Sequence, residues 1–271
     1  NTVVDNLLGK TSTDATVDVV ATSAADNVLT SLSTAIAKVD SITGLTVTNT
    51  QSTAEIGNLL GKATDALVTA TTMDATDLAA VADNAAKIST DGVTGTVAVT
   101  SALSASQIDA LLGKTAGDGT ATVTVTATGM SAAQLSAVED NIAIVDDIDN
   151  LGITVSQSAA EITALLGKAA GNDAAVDASG MSTAQIVAVD GAKATIVAGG
   201  ITNLTLTSAQ TEAVITSLLA DAAVGATSVS VTASGMSAAQ LVDVSDGIAK
   251  IAANGITGSV ALDADDGVIV N

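Results

Sequence analysis

The sequence contains no Phe, Tyr, Trp, His, Cys, Pro or Arg in 271 residues. Each absence excludes a kind of chemistry. Without His or Cys there is no imidazole base, no thiolate nucleophile, no disulfide and no conventional zinc, copper, haem or iron–sulfur site. Carboxylate and carbonyl oxygens remain, and these suit hard cations such as calcium.

Positive charge is also scarce. Eight Lys residues face 29 acidic residues, which gives a net charge of −21. Such a charge repels nucleic-acid phosphates and anionic membranes, and there are no aromatic rings on which bases could stack. Hydrophobic residues make up 48% of the chain, but Thr, Ser and Asp interrupt every apolar run well before the length of about 18 residues that a membrane span requires. We therefore expect neither a nucleic-acid partner nor membrane insertion.

What the chain has instead is a repeat. The motif Leu-Leu-Gly-Lys begins at Leu7, Leu59, Leu111 and Leu165, with spacings of 52, 52 and 54 residues. A degenerate fifth copy, Ser217–Asp221, follows without Gly-Lys. A period in this range is typical of stacked supersecondary units that bury their apolar faces against one another. We expect residues 1–271 to form a single repeat array that is a segment of a longer protein.

Helix starts recur within each repeat. In the segment Gly129–Leu135, Ser131 can cap a helix while Gln134 reaches back to the N–H of the cap, and Met130 and Leu135 form a hydrophobic staple. The same arrangement recurs at Gly180–Ile186 and Gly235–Leu241. A Met series could also form a soft-metal or promiscuous binding surface. The staple accounts for the spacing better.

The Leu-Leu units start helices in the same way, as in Leu103–Ile108, and the pattern predicts that the helix stops at Gly113 in a left-handed conformation. Lys114 then complements the negative end of the helix dipole. Gly113-Lys114-Thr115 is not a phosphate-binding loop, because Ile108 stands where that motif needs another Gly and because the motif must open a helix.

Strands with period-two alternation precede the helices, most plainly in Thr122–Thr128, where one face is apolar and the other carries hydroxyls. Strand–helix–strand connections of this length place successive strands parallel with right-handed crossovers. We predict an α/β fold: a right-handed solenoid of about ten strand–helix coils, about 27 residues each and two per sequence repeat, with one parallel sheet and all helices on one side. A doubly wound sheet is the competing arrangement, but its strands are apolar on both faces.

The hydroxyl face is the first candidate site. Its expected members are Thr46, Thr48, Thr96, Thr122, Thr124, Thr126, Thr205, Ser230 and Thr232. A regular Thr array at about 4.8 Å strand spacing resembles the surface of ice-binding solenoids. The same face could serve sheet-to-sheet or lateral packing, or could simply be solvated, since Thr favours strands. Asp18 and Asp177 interrupt it.

Acidic loops are the second candidate, because oxygen ligands at short spacing suit calcium. The candidate residues are Asp118 in the turn Gly117-Asp118-Gly119, then Asp140, Asp146, Asp147 and Asp149, and finally Asp263, Asp265 and Asp266. None matches an EF-hand loop or the nonapeptide of calcium β-rolls, and solubilising charge is the alternative interpretation. No other cofactor is expected.

Catalysis is the third candidate, and Lys is the only basic partner for a Ser, Thr or Asp nucleophile. Lys62, Lys114 and Lys168 occupy one repeated position, whereas active sites are not usually copied once per repeat. We expect no enzymatic activity.

The Gly-Met-Ser-Ala-Ala-Gln-Leu unit, the segment Gly255–Gly258 and the bias toward Ala, Thr, Val and Asp resemble the repeat arrays of very long exported bacterial surface proteins, including those of cyanobacteria. The resemblance covers the whole chain. It implies a role in a cell-surface layer, adhesin stalk or extracellular filament, in proteins that often contain calcium.

We therefore expect a structural repeat protein located outside the cell or on its surface. Its partner is expected to be itself, through end-to-end or lateral stacking. The alternative is a binding module that holds ice or another extended ligand on the hydroxyl face.

Overall fold

The structure is a computed structural model, and it describes residues 2–12, 15–223 and 229–259. Ten α-helices lie in the described residues: α1 Thr2–Lys10, α2 Asp26–Thr34, α3 Thr53–Lys62, α4 Ala75–Asp83, α5 Ala105–Leu112, α6 Ala132–Asp140, α7 Ala159–Leu166, α8 Thr183–Gly191, α9 Glu212–Asp221 and α10 Ala238–Asp246. The strands are β1 Val17–Val20, β2 Val39–Thr43, β3 Thr46–Val47, β4 Ala66–Thr69, β5 Ile88–Thr100, β6 Ala121–Thr126, β7 Val145–Asp149, β8 Gly152–Ile153, β9 Ala174–Asp177, β10 Ile196–Thr202, β11 Leu204–Leu206, β12 Val229–Thr232 and β13 Ile251–Thr257.

The chain divides into two compact units, Asn1–Asp147 and Ile148–Asn271. Within each unit, helices that follow one another along the chain contact each other, as α3 contacts α2 and α4, and α9 contacts α8 and α10. Strands pair in parallel with their neighbours in sequence, for example β5 with β6 and β11 with β12. The fold is therefore α/β with parallel sheets, as predicted. The prediction of a single array remains a prediction.

The strands form four sheets, so the prediction of one continuous sheet is wrong. The orders are β1-β2, β3-β4-β5-β6-β7, β10-β9-β8 and β11-β12-β13. The strand pairing is interrupted at residues with positive φ, each of which divides the longer strand of a repeat. These residues are Gly44 after β2, Asn150 after β7 and Asn203 after β10. Each half then pairs with a different neighbour, as β10 pairs with β9 and β11 with β12.

The helix starts are as the sequence predicts. Ser104, Ser131, Ser182 and Ser237 are N-caps in complete capping boxes with a Gln three residues later. Ser52 and Ser158 form the same box with Glu. Because each box satisfies two backbone N–H groups of the first turn, short helices of eight to ten residues have defined starting points.

The helix ends differ from the prediction. Gly113 has φ −62° and Gly167 has φ −63°, both right-handed, so the expected left-handed glycine after the helix is wrong. The last turn tightens instead, because the N–H groups of Lys114 and Thr115 donate to the carbonyls three residues back, at 3.1 and 3.0 Å. Such 3₁₀-type bonds satisfy terminal carbonyls without a left-handed residue.

A bulge recurs in the longer strands. In β4–β5, Ala66 pairs with Ile88 and Val68 with Val93, so three extra residues of β5 loop out between two pairs. Gly92 lies in this loop, where a Cβ would stand 2.8 Å from the Ser89 carbonyl oxygen and 2.9 Å from Cγ2 of Ile88. Similar register shifts occur between β9 and β10 and between β12 and β13. The bulge requires a residue without a side chain at this position.

We predict that Gly92→Ala lowers the free energy of unfolding by about 1 to 3 kcal/mol, because the new methyl overlaps its neighbours. The matched control is Gly57→Ala in α3, where a Cβ meets nothing within 4 Å and helix propensity should add about 0.5 to 1 kcal/mol. Urea unfolding followed by circular dichroism measures both variants. Equal effects of the two substitutions would contradict the packing explanation of the bulge.

Candidate functional site

The strands carry one apolar and one polar face, as the alternation predicts. In β6, Val123 and Val125 are buried, whereas Thr124 is half-buried and Thr126 is exposed. In β12, Val229 and Val231 are likewise buried and Ser230 is exposed. The buried Val residues contribute to a core of aliphatic side chains, because the chain has no aromatic residue to fill a thicker space.

The register shows how far the hydroxyl face extends. Thr96 lies opposite Thr122, and Thr100 opposite Thr126, in the β5–β6 pair. Thr205 lies opposite Ser230 in the β11–β12 pair. The array is interrupted elsewhere, because Leu67 lies opposite Thr46 and Ala98 lies opposite Thr124. The hydroxyls therefore meet in separate cross-strand pairs instead of one continuous array.

Other polar side chains near the strands are used locally. Thr48 follows β3 and lies in a turn, where its N–H donates to Oε1 of Gln51 at 2.9 Å. Asp18 accepts a hydrogen bond from the Ser41 hydroxyl at 2.6 Å. Asp177 accepts one from Nδ2 of Asn203 at 2.8 Å. Both acidic residues thus join neighbouring strands, in addition to interrupting the Thr face.

The acidic calcium candidates are spread out. Asp118 accepts hydrogen bonds from the Thr120 hydroxyl at 2.6 Å and the Thr120 N–H at 3.0 Å, and these bonds hold the pKa of its carboxyl below the usual value. Asp146 accepts from the Val123 N–H at 2.7 Å. Two of the eight candidate carboxylates therefore already have protein donors.

The remaining candidates form no cluster in the part of the chain that the structure describes. Asp147 and Asp149 are half-buried on β7, and Asp140 ends α6. Across residues 2–12, 15–223 and 229–259, no group of three or more acidic side chains is placed to hold a metal ion. Asp263, Asp265 and Asp266 lie outside the described residues. Calcium binding stays a prediction.

Several lysines bind backbone carbonyls of the preceding coil. Lys114 Nζ donates to the Ile88 carbonyl at 2.9 Å, across 26 residues of sequence. Lys38 Nζ donates to the Ser12 carbonyl at 2.9 Å, and Lys250 Nζ to the Ala222 carbonyl at 2.6 Å. The latter two carbonyls lie just beyond the C-termini of α1 and α9, where helix geometry leaves carbonyls without partners. These ammonium groups therefore fasten one coil to the next.

A second set of hydrogen bonds to carbonyls of the preceding coil was not predicted from the sequence. The capping-box glutamines Gln134, Gln185 and Gln240 are more than local caps. The side-chain oxygen of Gln185 accepts from the Ser182 N–H at 2.8 Å, while its nitrogen donates to the Val155 and Gln157 carbonyls at 3.0 and 2.6 Å. Gln240 bonds the Ser208 and Gln210 carbonyls in the same way, at 3.4 and 2.5 Å.

We call this series the glutamine ladder. Gln134 completes it in the first unit, with bonds to the carbonyls of Ser101 and Leu103 at 3.1 and 2.5 Å. Only an amide can make both halves of the contact, because the oxygen must accept and the nitrogen must donate. The recurrence of Gln at spacings of 51 and 55 residues was the available signal, since a cap alone accepts Glu equally well.

No protein-family model matches this chain, and no curated protein matches it. Among the helices of the described residues, none is long and apolar enough to cross a membrane.

We predict that Gln185→Glu lowers the free energy of unfolding by about 1 to 3 kcal/mol, because the carboxylate keeps the cap but leaves two carbonyls without a donor. The matched control is Glu55→Gln in α3, which retains the capping box and should change stability by less than about 0.5 kcal/mol. Thermal and urea unfolding of the two variants provide the comparison. A Gln185→Glu protein as stable as the parent would show that the ladder bonds contribute nothing.

Proposed function

We propose that the chain is a structural repeat protein whose coils stack, within each unit, as a right-handed α/β solenoid with the helices on one side of the strands. Parallel pairing of successive strands around an intervening helix supports the right-handed crossover. Contacts between successive helices support a common helical side. In this proposal the protein forms part of an extracellular fibre, a surface layer or an adhesin stalk.

One observation carries the proposal: side chains that could perform chemistry are used to hold adjacent coils together. Lys114 and Lys250 donate hydrogen bonds to carbonyls of the preceding coil, although the chain has only eight cationic side chains. Gln185 and Gln240 likewise donate hydrogen bonds to backbone carbonyls of the preceding coil. A protein selected to be a rigid array is expected to use its polar groups in this way.

The proposed location and partners are supported by the net charge and by the resemblance of the repeats. A net charge of −21 disfavours nucleic acid as a partner. The same charge favours the solubility of a surface that has few cations. The resemblance to exported bacterial repeat arrays supports a position outside the cell or on its surface, with further copies of the same repeat as the partner. Enzymatic activity is not part of this proposal.

We predict that negative-stain electron microscopy of the purified chain shows filaments or lattices. Images recorded with calcium chloride and with a chelator test whether calcium contributes to assembly. Isolated particles under every condition would contradict the structural proposal and favour a binding module.

That alternative, a module that binds ice or another extended ligand, draws on the hydroxyl pairs Thr96–Thr122 and Thr100–Thr126, in which Thr100 is half-buried and the other three residues are exposed. The pairs present a regular hydroxyl spacing over two strands. The interruptions at Leu67 and Ala98 make the structural role the better supported one.

We predict that the triple variant T122V/T124V/T126V assembles like the parent and that neither protein depresses the freezing point of water relative to its melting point. Val replaces each hydroxyl by a methyl and keeps the strand propensity, so the fold is retained. Measurable freezing hysteresis in the parent that the triple variant loses would establish the binding module instead.

A further inference from the structure

The turns that precede α3 and α9 each contain a buried glutamine. Gln51 is 3% exposed and Gln210 is 4% exposed. The side-chain oxygen of each is held inside its own turn, where it accepts from the N–H of Thr48 at 2.9 Å or of Thr207 at 2.7 Å. Because the oxygen is fixed in the same way in both turns, the amide nitrogen points in the same direction in both.

In the turn before α3 the amide nitrogen has a partner in the preceding coil. Gln51 Nε2 donates to Oδ1 of Asp26, the first residue of α2, at 3.0 Å. It also donates to the Thr50 hydroxyl within its own turn, at 2.7 Å. The dipole of α2 further stabilises a carboxylate at this end of the helix. A carboxylate is therefore the group that suits this position.

The pair α8–α9 is arranged like the pair α2–α3. In both pairs the later helix contacts the earlier one. Asn58 of α3 donates to the Ser33 hydroxyl of α2 at 3.2 Å. The residues at the equivalent positions, Ser217 of α9 and Asp190 of α8, also share a side-chain hydrogen bond. The two pairs of helices thus stack in the same register.

The pair α8–α9 has the glutamine but lacks the carboxylate. Gln210 faces the first residue of α8, which is Thr183 in place of Asp26. Among the described residues, the Gln210 nitrogen has no hydrogen-bond acceptor. In the same part of the chain, Asp173 Oδ1 is the one side-chain polar atom that is both enclosed and without a partner. The Gln210 nitrogen is therefore unpartnered but within reach of solvent.

The first turn of α8 offers further donors beside this nitrogen. The first intrahelical bond runs from the Ile186 N–H to the Ser182 carbonyl, at 3.0 Å. The capping box satisfies the N–H groups of Ser182 and Gln185, at 2.8 and 3.3 Å. The N–H groups of Thr183 and Ala184 have no intrahelical acceptor, and both residues are exposed. Such N–H groups and the helix dipole favour an anion.

The second repeat fills the same position with apolar side chains. Leu103 replaces the glutamine before α5 and is 1% exposed, and Ala75 replaces the aspartate at the start of α4. The chain thus pairs the amide with a carboxylate in one repeat and removes both groups in another. At α8–α9 it keeps the amide donor alone, although a largely buried donor without an acceptor is costly.

We propose that Gln210 and the first turn of α8 bind a carboxylate, in the position that the Asp26 side chain takes at Gln51. Gln210 Nε2 donates to one carboxylate oxygen, and the N–H groups at the start of α8 face the same group. The ligand is a small organic acid or an acidic side chain of a peptide, since both present this group. The site goes beyond the proposed structural function and does not depend on it.

The experiment titrates the full chain with sodium acetate, which replaces sodium chloride at constant ionic strength and neutral pH. Two-dimensional NMR follows the side-chain amide of Gln210 and the backbone amides of Thr183 and Ala184. We expect their signals to shift and to reach half-saturation at about 1 to 100 mM acetate, as for a few charge-assisted hydrogen bonds in open solvent. The side-chain amide of Gln51 should not shift, because Asp26 already occupies it.

Two substitutions copy residues that the chain itself places at equivalent positions. Gln210→Leu copies Leu103 and should weaken acetate binding at the first turn of α8 by about tenfold or more, because a donor to a charged group is lost. Asp26→Ala copies Ala75 and should make Gln51 respond to acetate as Gln210 does in the parent. Circular dichroism checks that both variants fold.

Neutral acetamide serves as the control for charge. An equal response to acetate and acetamide would overturn the proposal, as would the absence of a saturable shift at Gln210. A Gln51 amide that does not respond to acetate in the folded D26A variant would contradict it as well. None of these results bears on whether the chain forms filaments or lattices, so the structural proposal is tested separately.

Two short peptides distinguish the sources of the carboxylate. N-acetyl-Gly-Asp-Gly-amide presents an acidic side chain, and the Asn peptide of the same length is its neutral control. Tighter binding of the Asp peptide than of acetate identifies an acidic peptide as the ligand, whereas equal or weaker binding identifies a small organic acid. Binding of the Asn peptide as tightly as the Asp peptide would count against a carboxylate site.

Discussion

The parallel pairing of each strand with the strand of the preceding coil is the interaction on which the other features depend. The coils are small and the apolar side chains are Ala, Val, Leu and Ile, so one strand and one helix cannot bury a core by themselves. Pairing brings the Val residues of adjacent strands into one layer and brings each Leu-Leu helix beside its neighbours in the chain, as α3 lies beside α2 and α4. Stability is therefore a property of neighbouring coils in contact.

The polar contacts, like the strand pairing, connect each coil to the coil before it. The glutamine ladder and the lysine ammonium groups both reach from one coil to carbonyls of the coil before it. These carbonyls lie in turns before a helix and just after the end of a helix, where the backbone has acceptors left over. Buried carbonyls without donors are costly, so such contacts favour one register of stacking over the alternatives. A uniform aliphatic core would discriminate between registers poorly, because its side chains are so alike.

Much of this arrangement could be predicted from the sequence. Capping boxes such as Ser131–Gln134 are local patterns, and the exposed hydroxyls of β6 follow from strict alternation. The division into four sheets could not be predicted, because Asn150 and Asn203 adopt positive φ without the glycine that usually marks it. The Gln185 contacts span about 30 residues of sequence, so no local pattern reveals them.

The candidate sites show the same limit. The Thr residues of the hydroxyl face lie on strands, except Thr48, which lies in a turn after β3. Cross-strand register then decides whether hydroxyls meet, and it sets Thr46 against Leu67. The acidic candidates lie close together in sequence. In the folded chain Asp146 bonds the Val123 backbone of a neighbouring strand instead of joining the other carboxylates.

The recurring bulge has a consequence for how such chains can vary. In the first repeat Val39 and Ile42 are three residues apart, and in the second their counterparts Ile88 and Val93 are five apart, yet all four are buried and paired with the preceding strand. The two additional residues leave the strand as a loop and do not shift the side chains that follow. Strands of unequal length therefore keep the same buried pairs, so an imprecise duplication of a repeat can still yield a strand that pairs with its neighbour.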